Sequence, residues 1–176
     1  MNINNKIIKS ALIAVTLSTL VACGKDKDNK PAVQAKVHTY KQMKVLRGEV
    51  TDAKGPVLEG LIEVKDSKGK VVASTELNNS RHYSVDIPAG TVLPIMLTVK
   101  SDKLTSPLQA VVISPVISKY DISTLTTKIS KRAKELGGYT HSNMILAADS
   151  TIGVLESNKT STGFRGDPTR QYGGWH

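Results

Sequence analysis

The chain predicts a mainly β fold: an antiparallel β-sandwich followed by two short C-terminal helices. Three observations predict it. Short apolar runs recur between residues 44 and 120, divided by Gly, Pro and Asp turn signals. One run alternates with period two, so that Tyr83, Val85 and Ile87 share a face. After Asp121 the apolar spacing changes to that of a helix. Aromatic residues make up only 4% of the 176 residues, so the core must be built mainly from Val, Ile and Leu.

The elements follow in order. Lys44-Val45-Leu46-Arg47-Gly48-Glu49-Val50 reads as a strand, ended by a turn at Asp52-Ala53-Lys54-Gly55-Pro56. Leu61–Lys65 alternates, Asp66-Ser67-Lys68-Gly69 turns, and Val71–Thr75 returns, which together make a hairpin. Tyr83–Ile87 is the next strand, ended by Pro88-Ala89-Gly90. Ile95–Val99 and Ala110–Ile113 are continuous apolar runs of the kind found in buried strands. Glu49, Glu63 and Asp86 fall on polar positions and are expected to face solvent. Leu125, Ile129, Ala133 and Leu136 then line one face of a first helix, which Gly137-Gly138 stops. Lys128, Lys131, Arg132 and Lys134 occupy its other faces. Ser142–Ile152 forms a second helix that groups Ile145, Ala148 and Ile152 with Met144, capped by Thr140 and ended by Gly153.

Gly48-x-Val50-x-Asp52-x-x-Gly55-Pro56-Val57-x-x-Gly60, with Tyr83-x-Val85-x-Ile87-Pro88-x-Gly90, resembles the carboxypeptidase-regulatory-like domain over about residues 45–113. The resemblance implies a transthyretin-like, Ig-like sandwich of seven strands. It implies no catalytic residue, since the matched positions do turn and core work in that family. Leu61 stands where the family often has a small residue, and Arg81-His82 where it often has a Gly. The segment Ile122–Thr127 resembles one that often follows such domains in bacterial envelope proteins.

The N-terminus reads as an export signal. Residues 1–9 carry two lysines and no acid, and residues 11–22 are apolar or small, too short a run for a bilayer core of about 30 Å. Leu20-Val21-Ala22-Cys23-Gly24 resembles the lipobox of bacterial lipoproteins, which implies cleavage before Cys23 and acylation of its thiol. Two or three acyl chains make a lasting anchor where one does not. Gly24 replaces the Asp that retains enterobacterial lipoproteins in the inner membrane, so the expected location is the outer membrane, facing the periplasm. The organisation expected is signal peptide 1–22, lipidated flexible tether 23–43, sandwich 44–120, helical extension 121–155 and tail 156–176.

The formal charge of +9 excludes an acidic disordered chain, and removing the signal leaves about +7. The charge is scattered, which reads as solubility or contact with anionic envelope polymers and lipid headgroups, not with nucleic acid. The single cysteine excludes a disulfide framework. His38, His82, His141 and His176 are far apart in sequence, so no close histidine pair exists, although His176 beside the terminal carboxylate is a candidate metal ligand. No G-x-S-x-G elbow and no phosphate-binding glycine loop occurs. Phe164, Tyr172 and Trp175, spaced among glycines in the tail, are candidate partner anchors, or tuck back onto the sandwich. The tail itself reads as loop or disorder, whose deletion leaves the melting temperature nearly unchanged.

The sequence therefore points to a non-enzymatic lipoprotein without a cofactor. It would be held at a bilayer through acylated Cys23 and present an interaction module to an envelope protein through the tail or a sheet edge. The competing readings are a lipoprotein that binds a metal ion or an anionic polymer, and a lipoprotein of a secretion apparatus. Oligomeric state is open.

Overall fold

A computed structural model describes residues 37–156 and Tyr172. The architecture is mainly β with two helices. Eight strands, β1 (Lys44–Asp52), β2 (Gly55–Pro56), β3 (Glu59–Lys65), β4 (Val71–Asn78), β5 (His82–Ile87), β6 (Ile95–Lys100), β7 (Leu108–Val112) and β8 (Ile122–Ser123), precede helices α1 (Thr124–Glu135) and α2 (His141–Glu156). The strands join in one sheet of order β2-β1-β8-β7-β6-β3-β4, with β5 added on β1, and the sheet curls into a half-barrel.

Local chemistry sets the turns. The Asp52 carboxylate accepts from the Lys54 and Gly55 backbone N–H groups at 2.7 and 2.9 Å. Asp66 does the same for Lys68 and Lys70 in the β3–β4 hairpin, where Gly69 supplies the positive φ of +83°. Alternation then fills the inside of the curl. Leu46, Val50, Ile62, Val64, Val85, Ile87, Leu97, Val99, Ala110, Val112, Tyr120 and Ile122 are all buried there in one apolar cluster.

Not all pairing is antiparallel. β1 pairs β5 antiparallel, but β8 parallel through Val50↔Ile122 and Thr51↔Ser123. The cause is the path of residues 118–123, which run alongside β1 in its own direction. The Arg47 N–H donates to Ser118 O at 2.9 Å and the Tyr120 N–H to Arg47 O at 2.8 Å. Residues 121–123, grouped by sequence with the helices, thus complete the sheet. The N-terminal boundary also shifts. Tyr40, expected in the tether, is buried at 4% exposure, and the backbone at residues 38–40 bonds the Gly90–Leu93 loop. Burying an aromatic ring outweighs the polar composition around it.

The helices cover the outer face of β7. Leu125, Ile129 and Ala133 of α1 and Met144, Ala147 and Ala148 of α2 enclose Val111, with Met96 and Ile113 at the margin. The expected α1 stripe is correct up to Leu136, which sits at the C-cap with 38% exposure. In α2 the buried centre is Met144, Ala147 and Ala148, while Ile145 and Ile152 are only partly buried. The small Ala pair lets α2 approach closely. Thr140 Oγ1 accepts from the Asn143 N–H as its cap, but Gly153 does not end the helix. A helical glycine costs only about 1 kcal/mol relative to Ala, too little to stop it alone.

Hydroxyls stitch α1 to the sheet. Ser123 caps the helix in a box with Thr126. Thr126 Oγ1 donates to Gln109 O, and Thr127 Oγ1 accepts from Gln109 N, each at 2.8 Å. These bonds satisfy β7 backbone where β8 is too short to pair beyond Gln109↔Ser123.

Candidate functional site

The outer side of β1 and β5 carries a cleft of about 450 Å³, lined by Arg47, Gly48, Glu49, His82, Tyr83, Ser118 and Lys119. Strand register builds it. Glu49 stands opposite His82 and Arg47 opposite Ser84 across the β1–β5 ladder, while Arg47 stands beside Lys119 in the parallel bridge. Glu49 is held by Arg81 Nε at 3.2 Å and lies 3.7 Å from His82 Nδ1. Its backbone N–H donates to Asp121 Oδ1 at 3.0 Å, and Lys119 Nζ lies 3.9 Å from Asp121 Oδ2. Both acids are thus engaged with cations and a backbone donor, which suits binding better than proton transfer.

A packing lock underlies this cleft. Gly48 faces inward opposite Tyr83, and the Tyr83 hydroxyl donates to Tyr120 O at 2.5 Å. Burial pushes the Tyr83 phenol well above its ordinary value, so it stays a neutral donor throughout the physiological range. A Cβ on Gly48 would stand 1.9 Å from Tyr120 O and 2.9 Å from the Tyr83 ring.

A second cleft, of about 460 Å³, lies where the β6–β7 loop, Ser101–Pro107, folds against Glu59 and Gly60. Lys103 pairs Glu59 at 2.7 Å, and nearby Glu63 accepts from both Lys65 and Lys100 at 2.9 Å. Glu63 lies on the outward face of β3, between the buried Ile62 and Val64, as its polar position predicts, and the two lysines cover it to 16% side-chain exposure. Its pair of lysines, Lys100 first, holds the carboxyl below the usual range. The linkage has a definite sign: a depressed folded-state pKa stabilises above the unfolded value and is lost as pH falls through the folded one. Stability should therefore fall as the medium is acidified below about pH 4.5, and Glu63→Gln should flatten that acid limb. Urea midpoints from pH 3 to 6 test this, and an unchanged acid slope in the variant would refute it.

Three strand edges stay unpaired among the described residues: the outer side of β4, which pairs only β3, and those of β5 and the two-residue β2, which pair only β1. β4 is eight residues long, with Glu76 its one charged residue and Val71 45% exposed.

The residues singled out from sequence separate. Cys23, Phe164, Trp175 and His176 lie outside the described residues, as do most of the expected tether and tail. Tyr172 is 1% exposed, packed with Val111, Leu125, Ile129, Ala133, Met144, Ala147 and Ala148. Of the two readings of that residue, the tucked-back one describes its position. Its side chain fills the helix–sheet core and is not displayed for a partner. His38 lies beside the Leu93 loop, His82 on β5 and His141 at the start of α2. Among the described residues no three His, Cys, Asp or Glu side chains group as metal ligands, and no helix is long and apolar enough to cross a membrane. Sequence reasoning missed the Arg47–Lys119 pairing and the Gly48–Tyr83–Tyr120 lock. Gly48 and Tyr83 were visible as motif positions, but their pairing register was not. Comparison with family models and with curated proteins found no match.

Proposed function

We propose that this chain is a non-catalytic lipoprotein of the bacterial envelope, anchored by acylated Cys23, whose curled β domain docks a protein partner. The observation that carries the reading is Leu20-Val21-Ala22-Cys23-Gly24, placed after a basic start and a short apolar run. The docking element is the β4 edge. Its backbone donors and acceptors on one side can take an extended segment of an envelope protein as an added strand. The same reading takes the half-barrel as a variant of the transthyretin-like sandwich. The core between β1–β5 and β3–β6–β7 supports it, as does the inward position of Gly48, Tyr83, Val85 and Ile87.

The alternative, a lipoprotein that binds an anionic polymer, is favoured by one feature: Arg47 and Lys119 side by side at the first cleft.

Cys23→Ser is expected to move the protein from the membrane fraction to the soluble fraction. Retention of the variant on membranes until detergent is added would sink the anchor. A photo-crosslinking residue at Thr75 should capture an envelope protein in cells. Equal capture from Lys54, on the turn after β1, would exclude the β4 edge.

A further inference from the structure

We propose that the outward face of α1 docks onto an anionic phospholipid surface, a proposal that rests on the lipid-anchored reading and adds an orientation to it. Charge balance separates this face from the rest of the domain. Residues 44–123 carry ten cations against nine acids, and five ion pairs use them up in part: Glu63 with Lys65 and Lys100, Glu49 with Arg81, Glu59 with Lys103, and Asp121 with Lys119. In the 12 residues of α1 four cations meet one acid. That acid, Glu135, is taken by Arg132 at 2.9 Å. Lys128, Lys131 and Lys134 are exposed and have no acidic partner among the described residues.

The helix geometry aims them. Leu125, Thr126, Thr127, Ile129, Ser130 and Ala133 form the buried face of α1, which places Lys128 and Lys131 on the opposite side, with Lys134 on the flank. On α2 the buried Met144, Ala147 and Ala148 place Leu146 on the far side, where it is 57% exposed. An exposed leucine on the helical layer fits a headgroup–acyl boundary, which accepts apolar side chains, better than a nucleic-acid backbone, which does not. A lysine near an anionic leaflet gains roughly fivefold in apparent binding, so three make a surface contact that is weak alone and effective once the chain is tethered.

The test uses the full acylated chain, floated with vesicles of neutral phosphatidylcholine or of phosphatidylcholine with one-third phosphatidylglycerol. Amine acylation of each lysine is read by mass spectrometry. Lys128, Lys131 and Lys134 are expected to be protected about fivefold on the anionic vesicles alone, and to recover in about 0.5 M salt, where charges are screened within a few Å. Lys54 and Lys68, on turns of the sheet, should label equally throughout. Equal labelling of the α1 lysines on both vesicles would overturn the proposal. So would protection by single-stranded RNA with none on vesicles, which would make the face a nucleic-acid contact. Flotation with neutral vesicles reads the anchor separately: its loss, with protection on anionic vesicles intact, would refute the acyl anchor and leave the α1 contact standing.

Discussion

Replacing Gly48 by Ala is expected to abolish cooperative folding, or to cost more than about 4 kcal/mol. The added methyl would stand 1.9 Å from Tyr120 O, a backbone atom, and 2.9 Å from the Tyr83 ring. Neither can retreat cheaply. Tyr120 is fully buried, and its N–H is bonded to Arg47 O on the same strand as Gly48. Pushing the 118–120 segment away would break that bond, the Tyr83 hydroxyl bond and the parallel pairing of β8 together. Gly69→Ala is the informative contrast. Its φ of +83° strains any Cβ, but open space surrounds it, so it should cost only about 1–2 kcal/mol. Urea denaturation of the two variants measures the difference. A Gly48→Ala protein unfolding at the wild-type midpoint would show that the lock does not exist.

Tyr172→Ala should destabilise by about 3–5 kcal/mol, as removal of a large buried ring does when helices cannot collapse into the space. For a domain of this size that lowers Tm by roughly 10 °C. The ring packs on residues of β7, α1 and α2 at once, so the loss spreads across the whole helix–sheet interface. Deleting residues 156–176 should do at least as much harm. That reverses the expectation for a loose tail, because the deletion takes Tyr172 out of the core. Calorimetry on both variants decides it, and an unchanged Tm in Tyr172→Ala would show that the ring contributes nothing to the core.

What could be read in advance follows from how local the cause is. The β5 alternation, the Asp52 and Asp66 turns and the α1 stripe depend on neighbours within a few residues, and the sequence displays such neighbours. β8 could not be read because two residues, Ile122 and Ser123, have no period. Only their fit beside β1, seventy residues earlier, makes them a strand. Tyr40 and Tyr172 are single rings in polar or glycine-rich surroundings, where nothing nearby signals burial. The two-lysine cover on Glu63 was half hidden for a related reason. Lys65 shares its face two residues along β3, but Lys100 comes from β6, and only the β3–β6 register brings it to Glu63. Clefts and edges are likewise products of strand order, which alternation does not encode.

Strand order also sets a timetable. β1 lies first in the chain yet sits between β5 and β8, whose residues are made last but for the helices. A ribosome adding about 5–20 residues per second needs roughly 4–14 s to pass from β1 to β8. Through that interval one side of β1 has no neighbour, and Leu46 and Val50 have no lid of Tyr120 and Ile122. Partial chains therefore gain little by closing early, since the loop joining these strands must be ordered before it is rewarded. The nascent sheet stays open at β1 until residues 118–123 are made, and its closure waits for them.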